Sequence, residues 1–367
     1  MIFDTTIFST TSAPVHHRNL YSSPFRPGST TAYYAFALLF ALIALAAGCG
    51  SGNPPPPPPV PPAFSVGKLY VTNSPSNGND TLLRFNAGNS GDVAPELKFD
   101  TSLQPGTQYL SLDVAHDRMA GFSGFAKSIM IVDNVSSGSC CASPRFVSGA
   151  ATGLKFVFQG VLDGNRDVIY ALNNDFTMVV LGPASTISGN VAPLRSLTTS
   201  ASVRGMALDS ANDRLFLSDS ASNSILIFDN ASTLNGPLTP SRTISGAATL
   251  LNSPGPLALD NSGRLIVAST LSPARIAVFA GAATANGNVA PLTTSTLPSG
   301  TFQIAVFGNG DLYAAAGGSS VSAYSNIAGA TGTLTPVRTI SGANTGLNPP
   351  FPSALSGVVC LAVDSTR

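Results

Sequence analysis

The chain is 367 residues long, and its 18 lysines and arginines balance 18 aspartates and glutamates. Charged residues are only 10% of it and no basic stripe forms, which argues against a nucleic-acid partner. With 35 glycines and 28 prolines it is rich in turn formers, a composition that favours an all-β fold over long helices.

Met1 to Thr31 is a polar extension with Arg18 and Arg26 as its only strong positive charges. A signal peptide usually begins nearer its apolar run, so translation is expected to start later, with Val15 and Leu20 as candidate positions. The run itself, 32–48, is about 17 residues, slightly short of the roughly 20 a membrane span needs. It ends in small residues, as an export-signal cleavage site does. The stretch Leu45-Ala46-Ala47-Gly48-Cys49 resembles the lipobox of bacterial lipoproteins, with Ala46 standing where leucine is commoner. The resemblance implies removal of 1–48 and attachment of diacylglycerol to Cys49, hence an exported protein held on the bacterial cell envelope. An uncleaved signal anchor is the alternative. Residues 49–63 follow as a linker with prolines from Pro54 to Pro59 and at Pro61 and Pro62. Proline lacks an N–H and fixes φ, so this tract is expected to extend as a polyproline stalk of roughly 25–30 Å.

The remainder, 64–367, is expected to form one domain. Its net charge is near −1. Its Cys140 and Cys141 are adjacent, a strained spacing for a disulfide, and match no zinc pattern. Cys360 lies in the apolar stretch VVCLAVD and reads as a buried small hydrophobe.

Internal repeats organise this domain. GMALDSANDRLFLSDSASNSILIFDNAST from Gly205, PLALDNSGRLIVASTLSPARIAVFAGAAT from Pro256 and QIAVFGNGDLYAAAGGSSVSAYSNIAGAT from Gln303 share one pattern. Each has an apolar strand, a tight turn, a second strand, a polar loop and a third strand. A fourth follows, as in PSRTISG at 240–246 and PVRTISG at 336–342, with weaker copies at 191–198 and 93–99. The first strand of each unit ends at Asp113, Asp163, Asp209, Asp260, Phe307 and Asp364, at intervals of 50, 46, 51, 47 and 57 residues. Four short strands in about 50 residues is the size of a propeller blade. Runs such as Ile225–Phe228 are apolar without alternation, as strands covered on both faces are.

The strand at Gly67–Thr72 has no first strand before it, and Val358–Asp364 has no second strand after it. Together they make one unit. The expectation is therefore an all-β, six-bladed β-propeller of four-stranded blades, closed by the C-terminal strand joining the N-terminal blade. Seven blades is the rival count, if 135–160 holds a further unit.

The pattern resembles NHL-type propellers, whose repeats read roughly G-I-A-V-D…G-N-L-Y-V-A-D…I-x-V-F, over about 65–364. That resemblance implies the ring but not the activity, since such rings host lactonases, lyases and binding proteins.

His116 is the one histidine of the mature part and falls in a turn. Asp113, Asp163, Asp209, Asp260 and Asp364 would ring one mouth of the channel; a turn-fixing role is expected over ion binding. The opposite face carries Asn73, Gln108, Tyr109, Asn173, Arg204, Asp219 and Gln303. Of these, Asn73, Gln108, Arg204, Asp219 and Gln303 are the ligand-face candidates, with Arg204 and Asp219 placed to pair. The segment 342–357 is a candidate recognition loop on that face. Metal-dependent propeller lactonases are expected to use glutamate, and Glu96 is the only one here. No cofactor is expected and no catalytic residue is assigned. The leading expectation is a lipid-anchored binding or scaffold module at the bacterial cell surface, meeting a protein or carbohydrate. The alternatives are a lactonase-like hydrolase or lyase, and a structural envelope or matrix protein.

Overall fold

The computed structural model describes residues 67–73, 80–103, 106–137, 143–269, 271, 274–298, 303–308, 310–315, 319–347 and 360–367. Cys49, the stretches 1–48 and 49–63, and the Cys140–Cys141 pair lie outside them, as does the latter part of 342–357. Among the described residues, helix is confined to four single 3₁₀ turns.

Blade 1 begins with β1 (Lys68–Asn73), β2 (Asp80–Asn86) and β3 (Leu97–Leu103). Blade 2 is β4 (Thr107–Asp113), β5 (Arg118–Ser123), β6 (Ser128–Asp133) and β7 (Arg145–Ser148). Blade 3 is β8 (Val157–Asp163), β9 (Val168–Asn173), β10 (Thr177–Leu181) and β11 (Arg195–Thr198). Blade 4 has β12 (Val203–Asp209), β13 (Arg214–Asp219) and β14 (Ser224–Asp229), then the dipeptide β15 (Gly236–Pro237), then β16 (Arg242–Ile244). Blade 5 is β17 (Pro254–Leu259), β18 (Leu265–Ser269), β19 (Arg275–Phe279) and β20 (Thr293–Thr296). Blade 6 has β21 (Gln303–Val306), β22 (Leu312–Ala315), β23 (Ser320–Tyr324), the dipeptide β24 (Gly332–Thr333) and β25 (Arg338–Ser341). The last strand, β26 (Cys360–Asp364), pairs antiparallel with β1, Lys68 opposite Asp364 and Thr72 opposite Cys360. The six sheets are thus complete, and no seventh unit lies among the described residues of 135–160.

Each innermost strand packs against the innermost strand of the next blade, and β26 sits between β21 and β4 to close the circle. There is accordingly one apolar core per junction. The core between blades 3 and 4 holds Tyr170, Leu172, Met206 and Leu217; that between blades 6 and 1 holds Val71, Phe85, Phe307 and Tyr313. Burying such side chains contributes roughly 1.5–3 kcal/mol each, which is why the middle strands read as unbroken apolar runs.

The outer edges are covered as well. β15 pairs in parallel with β11 of the preceding blade, and β24 with β20. Single parallel bridges join Gly189 to Val147, Gly287 to Ile244 and Gly91 to Ile340. Among the described residues, then, five junctions have a glycine-containing piece of one blade's last loop lying along the fourth strand of the blade before it.

The junctions alternate in kind, which a uniform 50-residue unit does not anticipate. Between blades 2 and 3, 4 and 5, and 6 and 1, the clasp reads Gly189-Asn190, Gly287-Asn288 and Gly91-Asp92. Its amide or carboxylate oxygen accepts an N–H from the 3₁₀ turn after the preceding blade: Ala151 to Asn190, Ala248 to Asn288, Asn344 to Asp92. Those turns open on Gly149, Gly246 and Gly342, with φ of 118°, 117° and 126°, where a Cβ would collide with the capping side chain. Among the described residues this clasp is present three times, at every second junction, and the intervals of 50, 46, 51 and 47 alternate with it while the last, 57, stands apart.

Candidate functional site

The innermost strands run from one mouth of the channel to the other. At the mouth where they end, the recurring aspartates fix turns. Asp113 accepts from the His116 N–H, Asp163 from Arg166, Asp209 from Asn212, Asp260 from Ser262 and Arg264, and Asp364 from Thr366. Ion pairs then cross the joints on this side: Arg367 to Asp117, Arg118 to Asp167 and Arg166 to Asp213. The Asp229 carboxyl, held by Arg242 and Arg214, is pulled down to about 2. Among the described residues no three histidine, cysteine or carboxylate side chains converge.

At the mouth where the strands begin, several sequence-chosen residues bond to their own backbone. Asn73 donates to Gly346 O at 2.9 Å and Asn173 to Gly153 O at 3.1 Å. Gln303 clamps the neighbouring strand β26, donating to Leu361 O at 3.1 Å and accepting from Leu361 N–H at 3.0 Å. The expected Arg204–Asp219 pair does not form. Asp219 accepts from Ser202 N–H, Ala221 N–H and Ser222 Oγ, and is 8% exposed. Its short side chain reaches the two loops beside it more easily than a strand neighbour on the other edge.

Arg204 is exposed instead, because it occupies a β-bulge in β12 between Val203 and Gly205. The same irregularity recurs at Gln108 in β4 and at Phe158 in β8. A bulge inserts an unpaired residue and re-aims its side chain. Three consecutive blades therefore carry a bulged residue near the start of the innermost strand: an amide, a guanidinium and, in blade 3, a phenyl ring that packs partly against the core between blades 3 and 4. Neither Gln108 nor Arg204 has a partner among the described residues, and Phe158 is half-buried. Phe158 was missed by sequence reasoning; the signal was its place five residues before Asp163, where Arg204 stands before Asp209 and Gln108 before Asp113.

Beneath the rim lies a polar layer. Burial pushes the Tyr109 phenol up, against hydrogen bonding from Gln159 and Gln303, so it stays a neutral donor and acceptor. Gln159 is 2% exposed, yet its Oε1 has no partner among the described residues. A buried acceptor left unpaired costs about 1–3 kcal/mol unless water or a ligand satisfies it. Cys360, in the adjoining strand, donates its thiol to Thr107 O at 3.2 Å, and burial pushes that thiol far up, so it is an inert packing group.

No family model matches the chain, and no curated protein matches it. Solved structures do. A candidate 6-phosphogluconolactonase from Bacteroides uniformis superposes with a TM-score of 0.52 at 16% identity, over 78% of this chain and 86% of that one. A second candidate 6-phosphogluconolactonase, from Bacteroides fragilis, gives 0.53 at 14% identity, over 85% of this chain and all of the other. At such identities the likeness is one of fold.

Proposed function

We propose that this propeller is a binding module whose ligand, a carbohydrate, seats on the channel rim over blades 2 to 4. The observation that carries the reading is the unpaired, buried Oε1 of Gln159 below the bulged Gln108, Phe158 and Arg204. Hydroxyl groups donate to an amide oxygen such as this one and accept from Gln108. The C–H face of a sugar ring packs on an aromatic edge, the mix of apolar wall and few placed polar groups that small ligands need. The signal-like segment and proline stalk support placing the module at the outside of a bacterial envelope, held through a lipid on Cys49.

A glycan array probed with residues 49–367 tests the site. Retention on a defined set of glycans, lost with Gln159→Leu and weakened with Phe158→Ala, supports it; equal retention by these variants overturns it. Mass spectrometry of the membrane fraction tests Cys49, where an unmodified cysteine would remove the anchor.

A lactone hydrolase is the second reading, favoured by the ring shared with the two Bacteroides proteins. Ring opening of 6-phosphogluconolactone above its spontaneous rate, abolished by Arg204→Ala, would replace the first reading with this one.

A further inference from the structure

Positive side chains are used unequally across the ring. At the mouth where the innermost strands end, the arginines are bound up within the fold. Arg118, Arg145, Arg214, Arg242 and Arg264 hold carboxylates, and Arg195 donates to the carbonyls of Ala231 and Leu234. At the opposite mouth Lys127, Arg204 and Arg275 are exposed and have no partner among the described residues. Lys127 sits in the loop before β6 of blade 2, Arg204 in the bulge of blade 4, and Arg275 at the start of β19 in blade 5.

The carboxylates of this mouth are already engaged. Asp80 is 1% exposed and accepts the N–H groups of Gly106 and Thr107. Asp219 accepts from Ser202, Ala221 and Ser222, and Asp175 from Lys155 and Thr177. Asp100 stands on β3, the outermost strand of blade 1. The stretches of 67–367 outside the described residues contain no lysine, arginine, aspartate or glutamate. The three cations therefore keep their donors available to an anion brought from outside. Beside Lys127 an aromatic surface is also open: Phe125 is 55% exposed and meets Phe156, from the segment before β8, edge to face with ring centroids 5.3 Å apart.

We infer that the ligand of the rim is an acidic polysaccharide, a chain of sugars bearing uronate carboxylates; this rests on the carbohydrate reading above and extends it. Guanidinium groups take carboxylates in charge-assisted, two-pronged pairs. The buried Oε1 of Gln159 needs a donor, which a sugar hydroxyl supplies and an ionised phosphate, with acceptor oxygens alone, does not. Phe125 offers a wall to the C–H face of a further sugar ring. Blades 2 and 5 stand opposite one another in a ring of six, so one sugar does not reach both Lys127 and Arg275, whereas a chain crossing the mouth does.

The test titrates residues 49–367 by calorimetry with tetragalacturonate, with its fully methyl-esterified form, and with an oligothymidylate. Esterification removes the charge and leaves the hydroxyls, so the acid is expected to bind saturably and the ester at least about tenfold more weakly. Raising salt from about 0.05 to about 0.5 M is expected to weaken the acid severalfold. Arg204→Gln is expected to weaken it at least about tenfold, and Lys127→Gln and Arg275→Gln about threefold each. Each removes a side chain without a partner in the fold, and an unchanged melting temperature checks this. Lys68→Gln, which removes a cation of the other mouth, leaves binding unchanged. Acid and ester binding alike, no saturation with the acid, full binding by Arg204→Gln, or tighter binding of the oligothymidylate overturns the inference. Acid binding lost with Arg204→Gln yet kept by Gln159→Leu sinks the pocket of the carbohydrate reading and spares the anion face. A neutral glycan held through Gln159 as tightly as the acid does the reverse.

Discussion

The two mouths of the channel are built from the same strands and treated oppositely. Where the innermost strands end, charge is plentiful and is consumed internally: five aspartates close turns, and Arg367, Arg118 and Arg166 each reach a carboxylate of the next blade. Where the strands begin, bulges break the ladders and leave Gln108 and Arg204 without partners among the described residues, while Leu250 and Arg275 stand exposed. The first mouth holds the ring together, and the second is where side chains remain available. The lesson is that a residue's charge is a poor guide to its availability; the ladder around it decides.

The most drastic way to break the comparison is to remove residues 360–367, which both mouths need. Loss of β26 strips β1 of one of its two ladders and exposes the core faces that Leu361 and Ala362 cover. The expected outcome is loss of the cooperative thermal transition, read by circular dichroism. A smaller effect separates the mouths directly. Asp163 is fully buried and accepts from Arg166 and Ser210, so Asp163→Ala is expected to cost about 2–3 kcal/mol by denaturant titration.

Acid sharpens the contrast further. The Asp229 pKa lies below its unfolded value, so the stability it contributes is present above about pH 4 and is lost as pH falls toward about 2. In blade 2, burial opposes the charged form of Asp133, but Arg118 and Arg145 outweigh it and its pKa falls too. Melting temperature is therefore expected to drop across that window, and less steeply in Asp229→Asn. The smallest change belongs to the open mouth: Arg204→Ala is expected to shift stability by less than about 0.5 kcal/mol. A loss there comparable with Asp163→Ala would erase the distinction.

The ring was legible because its causes are local. Asp209 before a tight turn, the unbroken Ile225–Phe228, and the half-units at Gly67 and Asp364 each carry their own reason. The site was less so. Gln303 reads as a free amide until β26 is laid beside it, and its clamp on Leu361 depends on that approach. Asp219 reads as a partner for Arg204 until a bulge turns the arginine away. Leu250 gives no hint of a left-handed backbone, because leucine has no preference for one. The alternation of blade pairs was present in the spacings, yet only the Asn190 and Asn288 caps explain it.

The path by which the chain enters the ring also has a mechanical consequence. Residues before Gly67 lead into β1, which is flanked by β26 on one side and β2 on the other. β1 is therefore bonded along both edges, so freeing it means breaking two ladders and not one. Unravelling from this end would for that reason meet more bonds at its first step than unravelling from an outermost strand.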